Sequence, residues 1–352
     1  MPKNSLSLMC WQGYESHAMT EPFIRRHNIK IEAETLLSDA ATARSLINGE
    51  LPNLDVLNIN NAYIRDCLHA LGLIKTLEHD RFAHYLESIH PIYSQLLPWS
   101  YDFDGALIGI GQRFGPFNLV INTHSISKAS AQDQGFNLAN DPANTKRFGI
   151  LNYPDFNVFH ICIGAALNPF SDLSDNDIDD FTNIANDWCG RAKLIEDDHQ
   201  VLNKALVDGD IDFYISGGIY TASPARMDGH QNIVAITPDH GPIEGSGGIM
   251  FTEITSVLSH DYESPHAESF LEYLLEPEPA ARVAFTDATC NPVAQMGDSK
   301  VFNTFSKFQL NAIQWDDLEE DLDRCSHYQI PPQNTRLLGI LAQAKQQTGS
   351  RM

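Results

Sequence analysis

The feature that most constrains this chain is the alternation of short apolar runs with capped amphipathic segments. Ser5 to Cys10 reads as a strand, Ile29 to Leu36 as a second and Asp55 to Ile59 as a third. Between the first two, Thr20 caps a helix with Pro22 near its start and Phe23 and Ile24 on its buried face, ending around Asn28. Ser38 caps the next, whose apolar face is Ala43, Leu46 and Ile47 and whose stop is Asn48-Gly49. A helix from about Ala62 to Leu71 closes at Gly72. Strands separated by helices need crossover connections, which are right-handed and build a largely parallel sheet.

A strand near Leu107 to Ile110 meets Gly111-Gln112-Arg113-Phe114-Gly115-Pro116-Phe117 before the apolar run Leu119 to Ile121. Gly and Pro interrupt the strand pattern there and predict a change of direction, as at a crossing between two lobes. A second block follows. It has a strand at Phe148 to Leu151, a buried helix at Val158 to Leu167, and a Ser174-capped helix carrying Ile178, Phe181, Ile184, Ala185 and Trp188. A helix with Val201, Leu202, Ala205 and Leu206 stops at Gly209 and feeds a strand, Ile211 to Ile215, ending in Ser216-Gly217-Gly218. Further strands span Asn232 to Thr237 and Ile249 to Val257. The helix His266 to Leu275 breaks at Glu276-Pro277-Glu278-Pro279 and resumes through Ala280 to Phe285, and Thr289 to Val293 reads as a loop. Lys300 to Gln347 reads as helices, with the acidic stretch Asp316 to Asp323 on a solvated face. A chain of 352 residues suits two domains, each able to bury its own core.

Charge excludes one class of partner. Lys and Arg number 23 against 46 Asp and Glu, and a net charge of −23 argues against binding a phosphate backbone. No run approaches the ~18 apolar residues of a membrane-spanning helix. Cys10, Cys67, Cys162, Cys189, Cys290 and Cys325 lie far apart and mostly within apolar runs, which suits buried free thiols. The scattered histidines make no case for a metal, and Gly245-Ser246-Gly247-Gly248 is no phosphate loop because no Lys follows. No nucleophile elbow or paired carboxylates point to catalysis, so neither cofactor nor enzyme is expected. Met1-Pro2-Lys3-Asn4 runs straight into a strand, so either Met1 is the native start of a cytoplasmic protein or a leader has been removed.

In open α/β sheets ligands bind outside the carboxyl ends of the strands. Trp11 and Tyr14 stand at the end of the first strand, where they either cover the sheet edge or wall a small-molecule site. The chain also shows a Ser38-Asp39 helix start, an Asp55-Val56 strand, and the return Gly247-Gly248-Ile249-Met250-Phe251-Thr252-Glu253. The helix Phe270-Leu271-Glu272-Tyr273-Leu274-Leu275 with Pro279-Ala280-Ala281 completes the order. Over nearly its whole length this order resembles the type II periplasmic solute-binding proteins of ABC importers, specifically the spermidine/putrescine-binding branch.

That resemblance implies an α/β, two-lobed fold, each lobe a mostly parallel sheet flanked by helices, with a cleft between the lobes. Lobe one would comprise residues 1–112 plus 252–298, lobe two 113–251, and 299–352 would be C-terminal helices packing back on both. It further implies a non-catalytic periplasmic receptor, monomeric, which closes on a small solute by a hinge motion and presents it to an inner-membrane permease. The alternative class is a cytosolic ligand sensor or an enzyme that reuses the same fold.

Residue by residue, Trp11 and Tyr14 match the family's aromatic wall, Phe251 a second wall, and Glu253 the carboxylate that grips an amine. The bland reading of Glu253 is a surface carboxylate on an alternating strand. Ser38, Asp39 and Asn60 fall at lobe one's strand-to-helix loops, where Asn60-Asn61-Ala62 replaces the family's Ser and Tyr. In Tyr153-Pro154-Asp155-Phe156-Asn157, only Asp155 remains of two expected carboxylates, the second position being Asn157. Ser216-Gly217 stands where a lobe-two Trp is expected, and Asp316 matches a late polar ligand residue. Arg113, beside Phe114, is an addition. Set against Glu253 it would suit a zwitterion, and otherwise it is an interlobe salt bridge or a solvated side chain. The expected solute is a short polyamine, or a compact cation or zwitterion such as a betaine, aminosulfonate or aminophosphonate.

Overall fold

The first strand, β1 (Ser5–Cys10), sets the pattern of the core: Leu6, Leu8 and Cys10 are fully buried, while Ser5, Ser7 and Met9 keep partial exposure. In chain order there follow β2 (Lys30–Thr35), β3 (Val56–Asn60), β4 (Ile110–Asn122), β5 (Phe148–Leu151), β6 (Leu194–Glu196), β7 (Phe213–Gly218), β8 (Ile233–Ile236) and β9 (Gly248–Val257). The computed structural model describes residues 4–36, 38–260, 262, 264–286 and 289–349. Met1-Pro2-Lys3, on which the question of a leader turns, lies outside them. The chain divides into two compact units, Met1–Phe114 with Phe251–Lys307 and Gly115–Met250 with Phe308–Met352.

In the first unit β1 pairs in parallel with β2 and β3, and β3 pairs antiparallel with β9, Asn60 lying opposite Glu253. The helix His17–His27 starts earlier than the sequence reading, with Ser16 rather than Thr20 before its first turn, and Pro22 lies inside it. Proline there removes the N–H that would bond the carbonyl four residues back. That carbonyl, Ala18 O, accepts instead from the Arg282 guanidinium. The helix Asp39–Ile47 is capped by Ser38, and the segment after β3 is wound as a π-turn, Tyr63–Leu68, tightening to a 3-10 turn before Gly72.

β4 corrects the reading of Gly111 to Phe117 as a break. It runs unbroken from Ile110 to Asn122 and is buried at every position. Gly111 is there for close packing rather than a bend: a Cβ on it would lie 1.8 Å from the Tyr93 hydroxyl. Gly115 and Pro116 mark instead where the chain passes from the first unit to the second.

In the second unit β5 pairs in parallel with β6 and β7, while β4 pairs antiparallel with β7 and β8. The strand Cys325–His327, read as helix from the sequence, runs parallel to the start of β9. The helix after β5 begins at Pro154, not Val158, with Pro154 in the first turn where its missing N–H does no harm. Asp155 and Asn157 therefore sit on the first turns of a helix. A second helix, Ile219–Met227, starts directly from the Ser216-Gly217-Gly218 end of β7. Ser174 caps Asp175–Arg191 with a reciprocal capping box, and that helix buries Ile178, Phe181, Ala185 and Trp188. The C-terminal helix Asn334–Gly349 packs on this helix and on Pro154–Gly164.

Candidate functional site

Each unit gathers polar and aromatic side chains at the carboxyl ends of its parallel strands. In the first unit the turn leaving β1 is fixed by Gly13, at φ +112, where an added Cβ would fall 2.2 Å from Thr286 Oγ1. The turn is tied to β3 by Trp11 N–H donating to Asn58 Oδ1 at 3.3 Å. It wraps around Arg113. The guanidinium donates to Gln12 O at 2.8 Å and to Thr286 Oγ1 at 3.1 Å, and lies 4.8 Å from the centroid of the Tyr14 ring. Its Nε donates to Glu253 Oε2 at 2.8 Å, and both side chains are buried.

Burial pushes the Glu253 carboxyl above its usual range, against the opposing pull of Arg113. Burial, with the Glu253 charge close by, raises the Tyr14 phenol well above its own. Arg113 and Glu253 are therefore bonded to one another inside the first unit. Beside them, Asn60 Nδ2 donates to the buried Asp39 carboxylate at 2.6 Å, and Ser38 Oγ accepts from Ala41 N. Trp11 keeps partial exposure; Tyr14, Phe114 and Phe251 are buried, Phe114 edge-on to Tyr93 at 5.1 Å.

In the second unit three rings stack where β5 and β7 end. Phe117 lies near-parallel to Tyr153, at 5.7 Å and 23°, and to Tyr220, at 5.6 Å and 16°. The Tyr220 hydroxyl donates to that of Tyr153 at 2.8 Å. Both tyrosines keep partial exposure. Asp155 is buried and accepts from Asn334 Nδ2 at 3.3 Å. Asn157 donates to Leu151 O at 2.8 Å and Ser216 Oγ at 2.7 Å, and accepts from Lys345 Nζ at 2.8 Å. Ser216, at φ +62, bonds His160 Nδ1 at 2.8 Å, and His160 Nε2 bonds Phe117 O at 2.9 Å. Asp316 lies apart from these groups, exposed in the short turn Trp315–Asp317. Among the described residues no group of His, Cys, Asp and Glu is arranged to hold a metal, and no helix is long and apolar enough to cross a membrane.

This architecture is shared with solved structures over almost its whole length. A putative spermidine/putrescine ABC transporter from Listeria monocytogenes superposes with a TM-score of 0.72 at 13% identity, covering 99% of this chain and 100% of its own. The TpPotD lipoprotein of Treponema pallidum gives 0.71 at 11% identity, over 97% and 99%. The fold is that of the type II periplasmic solute-binding proteins. MotA of A. tumefaciens B6, solved in complex with glucopine, shares it at a TM-score of 0.63 and 12% identity, over 97% and 99%. No protein-family model and no curated protein sequence matches the chain.

Within this fold the residues singled out in the sequence divide into groups. Tyr14, Arg113 and Glu253 come together in the first unit, Trp11 lies in the same turn tied to Asn58, and Asp39 and Asn60 form a separate pair. Asp155 and Asn157 share a helix start in the second. Sequence reasoning missed Tyr220, Phe117 and Lys345 and gave Tyr153 no role. Tyr153-Pro154 carried a usable signal, since Pro at the first helical position places the preceding residue at the strand exit. Lys345 carried none, because nothing local ties a lysine of the last helix to the exit of β5.

Proposed function

We propose that this chain is the solute-capturing receptor of an ABC importer. It takes up a small amine-bearing solute outside the inner membrane and hands it to a permease. The observation that carries the reading is the type II binding-protein fold over nearly the full chain, with partly exposed aromatic residues at the strand exits of both units: Trp11 in one, Tyr153 and Tyr220 in the other. Aromatic faces attract a cation without needing an N–H donor from it, each good contact contributing ~0.5–2 kcal/mol.

Two acceptors that would grip a bare ammonium are engaged by cations of the protein itself, Glu253 by Arg113 and Asn157 by Lys345. This favours a compact methylated ammonium or zwitterion over a long polyamine with an N–H-rich head at each end. Hinge closure is part of the proposal, and a solute favours a closed form only as far as it binds that form better. A micromolar constant needs only ~8 kcal/mol of net interaction.

A thermal-shift screen of betaines, aminosulfonates, aminophosphonates, amino acids and polyamines tests the proposal, because a ligand of the folded state raises Tm by mass action. Stabilisation by a compact betaine-like compound is expected. Stabilisation by spermidine alone, or by none of them, counts against it.

A further inference from the structure

The amides of Asn152 and Asn157, at the exit of β5, are oriented by their own donors. Asn157 Nδ2 donates to Leu151 O and Ser216 Oγ, and Asn152 Nδ2 donates to Asp197 Oδ1 at 2.6 Å. Each amide oxygen must then face the other way. Both converge on one position, which is filled by Lys345 Nζ from the C-terminal helix, bonded to Asn152 Oδ1 and, at 2.8 Å, to Asn157 Oδ1.

The polarity of this site is fixed from its far end. Phe117 O can only accept, so His160 Nε2 donates to it and a neutral His160 accepts at Nδ1 from Ser216. Ser216 in turn accepts from Asn157, which leaves Asn157 Oδ1 requiring a donor. The ammonium is held by neutral oxygens; burial pulls the Lys345 pKa down to about 8, and Asp197, bonded to Asn152, acts the other way from farther off.

We infer that the exit of β5 is a preformed ammonium seat and that Lys345 is its resident occupant, a specificity-determining residue that closes the second unit to a primary amine of the solute. The seat stands on its own geometry. Only the exclusion of a solute amine rests on the receptor reading above.

The test uses Lys345→Ala, which empties the seat, and Lys345→Met, which fills it with an apolar chain. Ethylamine is expected to raise the Tm of Lys345→Ala by several degrees and to leave the wild type and Lys345→Met unmoved, while tetramethylammonium, with no N–H, rescues none. Equal shifts in all three proteins, or none in Lys345→Ala, overturn the seat. If Lys345→Ala does not fold, a cycle of Lys345→Met with Asn152→Ala decides: overlapping losses support the seat and additive losses overturn it.

For the exclusion, wild type and Lys345→Ala are titrated with putrescine. A gain of at least about tenfold in the variant supports it. No gain overturns it, even where ethylamine rescue holds. Failure of the receptor reading would show separately, as a wild type that binds no compound of the screen.

Discussion

At the scale of single residues, the Arg113 and Glu253 pair is the most consequential contact. A buried carboxylate that loses its partner keeps its desolvation penalty, so removing one member of such a pair costs about 3–5 kcal/mol. Arg113→Ala is expected to lose stability of that order in urea unfolding, and Arg113→Ala with Glu253→Gln to recover part of it. If the double variant is no better than the single, Glu253 is not the group that Arg113 compensates. Trp11, which keeps partial exposure, is proposed to serve binding rather than stability. Trp11→Ala should leave Tm nearly unchanged and weaken the solute by ~3- to 30-fold, the loss of one cation–π face.

His160 gives a pH signature. Burial holds its pKa down to about 3, whereas in the unfolded chain it titrates near ~6.5. Between those values the unfolded state binds a proton that the folded state refuses, so stability falls as pH drops from about 6.5 toward about 3. A shift of that size corresponds to a loss on the order of 5 kcal/mol. His160→Gln should be less stable at neutral pH and show a flatter loss on acidification. Parallel pH profiles for the two proteins would assign the slope to other groups.

Elements followed the sequence where one local signal set both their type and their end. β1 and β5 run where the apolar runs place them, and Ser174 begins its helix because its Oγ accepts from Asp177 N while Asp177 accepts from Ser174 N. Losing that exposed box in Ser174→Ala should cost ~1 kcal/mol in thermal unfolding with solute binding intact. No loss would mean the helix is held by its buried face alone. Where partners distant in sequence decide, the local signal misleads. Gly111 looked like a break until Tyr93 packed against it, and the helix runs through Pro22 while Arg282 takes the carbonyl that proline leaves. The same limit explains the site. Trp11 and Tyr14 were legible at the end of β1, but the pairing of Arg113 with Glu253 and of Lys345 with Asn157 depends on residues 140 and 188 positions apart.

For the whole molecule, the fold does not choose the solute, because one two-unit architecture serves many ligands. The net charge of −23 is a long-range field that draws cations toward the protein without choosing among them. In the proposed reading, choice falls to the side chains at the strand exits, where Glu253 and Asn157 are already engaged by Arg113 and Lys345. The most direct test is a calorimetric titration of the wild type with glycine betaine and, in parallel, with spermidine. Single-site binding of the betaine in the micromolar range, with spermidine at least about tenfold weaker, is the expected result. Tight binding of spermidine with no heat from the betaine would contradict it.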